Sequence, residues 1–163
     1  VRHPLTAQSY AVESEEIMAE VTTTAVEEKA VSTIGTILET SEDGTTYEKL
    51  CRIKSYPDLG GEPNTLKTTD MEDDTETSML GVQKMDSMSF KANYTLKSYI
   101  AVNTKARKNL YYRLKMGENG KDGIATWQGQ HSVYVNSGEV DSVREMTIAV
   151  SPSTKIELSA ATA

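Results

Sequence analysis

The sequence predicts a mainly β fold, a two-layered sandwich or barrel with one α-helix on its flank. Three observations lead there. From Thr33 onward, apolar and polar residues alternate with a period of two in run after run. Turn chemistry separates the runs, as in Ser41-Glu42-Asp43-Gly44 and in Gly117-Glu118-Asn119-Gly120-Lys121-Asp122-Gly123. Helical spacing is persuasive only where Leu96, Tyr99, Ile100 and Asn103 recur on one face, with Thr95 as a cap. Six or seven strands and one helix make a layered β domain.

The elements follow in chain order. Residues 1–30 form a polar arm in which Glu13, Glu15, Glu16, Glu20, Glu27 and Glu28 stand against Arg2 and Lys29, a balance of -4. Ser14 before Glu15 and Glu16 resembles a helix cap, and Ile17, Val21 and Ala25 recur every four residues. The run Thr22-Thr23-Thr24 opposes a helix, so the expectation is a flexible or weakly helical arm ordered by packing on something else. Residues 31–163 are then the folded domain. Thr33 to Thr40 is its first strand. Tyr47 to Tyr56 is the second, with Tyr47, Cys51 and Ile53 on one face and Arg52 and Lys54 on the other.

A long loop, residues 57–86, comes next. Loops of this length inside a domain are usually functional or disordered. Met88, Phe90, Ala92 and Tyr94 then give the cleanest half-buried strand. The helix follows, with Lys97, Ala101, Lys105 and Lys108 expected on its outward face. Leu110 to Met116 alternates, Ile124 to Val135 is a long strand carrying Trp127, and Met146, Ile148 and Val150 form another, ended by Pro152. Ile156 and Leu158 belong to a last edge strand.

Composition excludes several functions. The 163 residues carry a net charge of -7 and a pI of about 4.9, the wrong sign for binding held by nucleic-acid phosphates. One cysteine, Cys51, allows neither an internal disulfide framework nor a thiolate zinc site, and it is expected to pack as a small hydrophobe. No apolar run approaches the roughly 20 residues of a membrane span, and no signal-peptide core opens the chain, so a reducing cytoplasm is the expected compartment. Leu, Ile, Val and Phe make only 31 of the 163 residues, close to the proportion (about 20%) that warns of disorder. A thin core of this kind suits a subunit completed by neighbouring copies.

Charge is distributed unevenly. The loop holds eight acids (Asp58, Glu62, Asp70, Glu72, Asp73, Asp74, Glu76 and Asp86) and two lysines, a balance of -6. The segment from Lys97 to Lys115 holds six bases (Lys97, Lys105, Arg107, Lys108, Arg113 and Lys115) and no acid. The expectation is that Asp70, Glu72, Asp73, Asp74 or Glu76 meets bases of this segment across a subunit boundary.

Catalytic and cofactor motifs are weak. The acids of residues 70–76 lack the glycine and terminal glutamate of a calcium hand, so no metal site is expected. Gly117, Gly120 and Gly123 lead into a polar turn rather than a helix, unlike a dinucleotide fingerprint, and no cofactor is expected. Asn93-Tyr94-Thr95 has the form of a glycosylation acceptor, which means little without secretion. His131 with Ser132 and Asp141 or Glu139 lacks a nucleophile turn and an oxyanion loop, so no enzyme is expected. Trp127 with Gln128 and Gly129 leaves one alternative, a carbohydrate-binding β-sandwich module using Trp127 as a stacking platform, although core packing is the commoner role.

A set of phrases in order carries a resemblance. They are Ser32-Thr33-Ile34-Gly35-Thr36-Ile37-Leu38, Asp43-Gly44-Thr45-Thr46-Tyr47, Tyr56-Pro57-Asp58-Leu59-Gly60-Gly61 and Leu66-Lys67-Thr68-Thr69. Phe90 to Tyr94, Gly123 to Gly129 and Met146 to Thr154 complete the set, which spans about four fifths of the chain. In these the chain resembles the major tail protein, or tail tube protein, of long-tailed bacteriophages of Gram-positive hosts. The resemblance implies a β-sandwich with a flanking helix whose subunits join into rings, typically hexameric, through an inter-subunit β-barrel. It implies rings stacked into a tube that DNA crosses without specific binding, in a virion assembled in the host bacterial cytoplasm. Partners would be further copies and other tail proteins, such as the tape measure and the terminator. Residues 1–30 have no counterpart in the pattern, and the loop is unusually acidic. A conduit of this kind calls for a lumen that is acidic or neutral, since phosphate must slide rather than bind.

Overall fold

A computed structural model describes residues 29–161. The chain divides into two units, Val1–Ser32 and Thr33–Ala163. The arm expected over residues 1–30 lies outside the described residues except for Lys29 and Ala30, which have no regular secondary structure. Among the described residues no helix is long and apolar enough to cross a membrane.

The second unit is mainly β, with ten strands and one helix among its described residues. The strands are β1 (Ile37–Ser41), β2 (Glu48–Cys51), β3 (Ile53–Ser55), β4 (Pro63–Lys67), β5 (Ser78–Gln83) and β6 (Met88–Asn93). After the helix α1 (Leu96–Thr104) come β7 (Leu110–Lys115), β8 (Ile124–Val135), β9 (Glu145–Pro152) and β10 (Glu157–Ser159). All pairings are antiparallel. The main sheet runs β2-β1-β7-β8-β9-β6-β3, with β10 on β8, while β4 and β5 form a separate two-stranded sheet.

The order of the main sheet decides its shape. Its two terminal strands, β2 and β3, are separated in sequence only by Arg52. Cα atoms two residues apart are at most about 7 Å from each other, so the sheet must roll until its two ends meet at Arg52. The alternating run from Tyr47 to Tyr56 is therefore two strands rather than the expected one. It breaks at Arg52 because β2 pairs with β1 while β3 pairs with β6. The first strand also starts later than expected, at Ile37, because a turn with Gly35 at φ 86° precedes it.

The interior of this roll is the core. Leu110, Tyr112 and Leu114 of β7, Ala125 and Trp127 of β8, Met146, Ile148 and Val150 of β9, and Met88, Phe90 and Ala92 of β6 all point inward, as their alternation requires. Phe90, Trp127 and Tyr112 stack in a row, with centroids 6.2 and 5.6 Å apart and planes inclined by 6° in both pairs. Three large rings in contact compensate for the shortage of aliphatic residues. At Gly129 the strands β8 and β9 approach so closely that an added Cβ would lie 2.4 Å from the Ser151 carbonyl oxygen.

The helix begins as expected, with the Thr95 side chain accepting a hydrogen bond from Ser98 N at 3.2 Å. Its buried face is not the expected one. Val102 is the buried residue of α1, Tyr99 is half-buried, and Leu96 and Ile100 are exposed. Lys105, expected to face outward, is half-buried just after the helix and pairs with Glu48 of β2 at 3.2 Å. The helix is short and docks on β2 and β8 mainly through Val102, so tertiary contact overrides the i, i+4 pattern.

Candidate functional site

The stretch expected as a loop, residues 57–86, is instead a β-hairpin arm. Among the described residues strands β4 and β5 pair only with each other, and no residue of either strand is buried. Thr68 N donates to the Thr77 carbonyl at 3.0 Å, which carries the pairing one step beyond the strands. At the base, an added Cβ on Gly61 would lie 1.7 Å from the Lys84 carbonyl oxygen, so glycine lets the two legs close. Turn residues and a low apolar content hid these strands from periodicity.

Adjacent residues of a strand point to opposite faces. Leu66 and Met79 are directly paired on one face of the hairpin, Leu80 lies on the other, and Val82 stands 81% exposed near an irregularity in register. Apolar side chains on both faces cannot all be covered by the domain to which the hairpin belongs. An isolated two-stranded hairpin is marginally stable in water. The arm therefore has the chemistry of a contact element.

Its tip carries the acids. Asp70 and Asp73 shape the turn: Asp70 N donates to Asp73 Oδ2 at 3.1 Å, and Glu72 N donates to Asp70 Oδ1 at 2.8 Å. Glu76 pairs with Lys67 across the hairpin, and Asp70, Glu72, Asp73 and Asp74 are exposed. Among the described residues no group of three or more His, Cys, Asp or Glu is placed to hold a metal ion.

The bases expected as the complement are distributed differently. Arg113 and Lys115 both pair with Glu39, at 2.6 and 3.1 Å, and the Arg113 guanidinium lies 3.9 Å from the centre of the Tyr47 ring. Lys105 pairs with Glu48, and Lys108 pairs with Glu42 at 3.5 Å. Four of the six bases thus have acids of β1, β2 and their connecting turn as partners. Lys97 and Arg107 are exposed and form no ion pair among the described residues.

The remaining candidates are interior groups. Trp127 is 3% exposed between Phe90 and Tyr112, so the expected alternative of a sugar platform on Trp127 fails on burial. His131 is also buried, with Nδ1 2.6 Å from the Tyr112 hydroxyl and Nε2 2.9 Å from the Val102 carbonyl oxygen. Burial lowers its pKa, opposed by the bond to Val102 and assisted by the Lys105 charge. Both ring nitrogens are engaged, which leaves no free base for a triad with Ser132. Cys51 is a packed interior thiol, pushed up to about 11 by burial.

Sequence reasoning passed over the connection between β8 and β9. Val140 is 99% exposed there and Val143 is exposed as well. Two valines among Gly138, Glu139, Asp141 and Ser142 were the signal, but their spacing fits no element.

No family model matches the chain, and no curated protein matches it in sequence. Solved structures do. A chain from the tail of an empty GTA particle, determined with C6 symmetry, superposes with a TM-score of 0.61 at 11% identity, over 80% of this chain and 100% of that one. A chain of the PVC sheath–tube complex, from an extracellular contractile injection system in the extended state, gives 0.58 at 13% identity, over 85% and 97%. A chain of the six-fold-symmetrised baseplate of the anti-feeding prophage gives 0.57 at 8% identity, over 84% and 99%. The likeness is one of fold, and it spans nearly the full length of each of these chains.

Proposed function

We propose that the protein is a structural subunit of a bacteriophage tail tube, which self-assembles into rings, six subunits to a ring, that stack into the conduit for DNA ejection. One observation carries this: a hairpin arm with Leu66 and Met79 on one face and Leu80 on the other, whose strands pair with no other strand among the described residues. Such an arm needs neighbours, and identical copies provide them at every position of a ring. The similarity in fold to chains from six-fold tail and injection assemblies supports the same conclusion. A rolled sheet whose edges close on neighbours avoids the aggregation liability of open strands.

DNA is cargo in this proposal and not a ligand. A net charge of -7 suits a passage that must release phosphate. The test is direct. The purified chain is examined by negative-stain electron microscopy and by sedimentation over a range of concentrations. Rings or tubes are expected, and a monomer at every concentration would overturn the proposal.

A further inference from the structure

Two exposed apolar regions leave the domain at opposite ends of β6. The hairpin arm enters at the Met88 end, with four residues between Gln83, which closes β5, and Met88. At the other end Asn93 pairs with Glu145, and the next residue, Tyr94, donates its N–H to the Arg144 carbonyl at 2.9 Å. That bond brings the start of α1 beside the β8–β9 connection. Leu96 and Ile100 of the helix and Val140 and Val143 of the connection are exposed there. Strand β6, with six residues, separates the two regions by about 17 Å at a rise of about 3.4 Å per residue.

Charge distinguishes the two ends. The hairpin tip presents Asp70, Glu72, Asp73 and Asp74. The opposite end presents Lys97, without an ion pair among the described residues, and Arg144, whose guanidinium lies 5.9 Å from the centre of the Tyr94 ring. Glu139 and Asp141 lie on the same connection, so the positive side of this end is the α1 side. From Pro63 to Met71 the arm extends at most about 27 Å, longer than β6 itself. An unpartnered acidic arm at one end and an apolar surface with exposed bases at the other form a head-to-tail pair, the kind of contact that repeats without closing on itself.

We infer that the end formed by the start of α1 and the β8–β9 connection is the seat for the β4–β5 hairpin of a second copy in the next ring. The inference rests on the tube proposal and adds which surface receives the arm. Leu96, Ile100 and Val143 cover the hairpin's apolar residues, and Lys97 meets the carboxylates of the tip. The four bases already paired with Glu39, Glu42 and Glu48 take no part. This narrows the expected complement to Lys97, because Arg107, the other base without an ion pair among the described residues, lies past the C-terminal end of α1, where its N–H bonds to the His131 carbonyl.

The test joins two full-length variants, Lys97→Cys and Asp74→Cys, with a short bismaleimide during assembly. Cys51 is buried, and the parent chain is the control for its reactivity. A cross-linked dimer is expected in the mixture and in neither variant alone. In parallel, a Leu96→Asp, Val143→Asp double variant is expected to keep rings and lose stacks, and Lys97→Glu is expected to slow stacking in low salt, with Asp74→Lys restoring it. Tubes that form without the cross-link, or an aspartate double variant that stacks like the parent, would overturn the seat and leave the tube proposal standing. A parent chain that never assembles would overturn both.

Discussion

His131 Nε2 lies 2.9 Å from the Val102 carbonyl oxygen, so a single imidazole ties β8 to the one buried residue of α1. A carbonyl can only accept, so Nε2 carries the proton and Nδ1 accepts from the Tyr112 hydroxyl at 2.6 Å. The helix is thereby attached to the aromatic stack, because Tyr112 is also the ring that covers Trp127.

This attachment is pH-dependent. Burial holds the folded pKa of His131 below its ordinary 6.5, so the folded state favours neutral imidazole. Its contribution is complete above the unfolded value and is lost as pH falls below 6.5, because the unfolded chain then binds the proton more readily. The groups involved are the Tyr112 hydroxyl, the Val102 carbonyl and the Lys105 ammonium. Melting temperature should fall from pH 7 to pH 5, with a shallower slope in His131→Phe. That variant should lose about 1–3 kcal/mol at pH 7, because it leaves two buried polar groups unpaired.

Trp127 should be the costliest single truncation. Trp127→Ala removes the middle ring of three and should cost about 3–5 kcal/mol in denaturant unfolding. Trp127→Phe should cost less, since a ring remains between Phe90 and Tyr112. Neither variant should change binding to oligosaccharides, which would need the indole at the surface.

Thr40 offers the opposite sign. Its hydroxyl is buried and has no hydrogen-bond partner among the described residues. Thr40→Val replaces that oxygen with a methyl group of similar shape and should stabilise the fold by about 1 kcal/mol. A lower melting temperature would count against this account of the site.

Asp43 organises the turn between β1 and β2. Its Oδ1 receives the Ser41 hydroxyl at 2.7 Å and the Thr45 and Thr46 amides at 2.9 Å each, which holds the carboxyl well below its ordinary 3.8. The contribution of Asp43 is therefore present above pH 3.8 and fades as pH falls through and below that value. In Asp43→Ala the amides of Thr45 and Thr46 should exchange hydrogen faster at neutral pH, with little change at β8.

The hairpin separates folding from assembly. Met79→Asp with Leu80→Asp places a charge on each face of an arm whose strands contain no buried residue. The unfolding free energy should stay within about 0.5 kcal/mol of the parent, as for exposed positions generally. Rings should persist and stacked tubes should be lost in electron micrographs. Unchanged assembly would mean that the arm contacts nothing.

The sequence by itself determined which residues of each long strand face inward. The alternation of Met88, Phe90 and Ala92, of Leu110, Tyr112 and Leu114, and of Met146, Ile148 and Val150 is local, because successive side chains on a strand must point to opposite sides. The Thr95 cap and the turn at Asp43 were legible for the same reason, since their partners lie within three residues. Tertiary structure decided everything that depends on a distant partner. Arg52 interrupts a strand only because β1 and β6 lie on either side of it. Val102 is buried and Ile100 is not because β2 and β8 approach one side of a short helix. Glu39 lies 74 residues from Arg113, so the sequence could count the bases but not assign them. Charge and apolarity are written residue by residue, whereas which of them remain unpaired is a property of the closed chain.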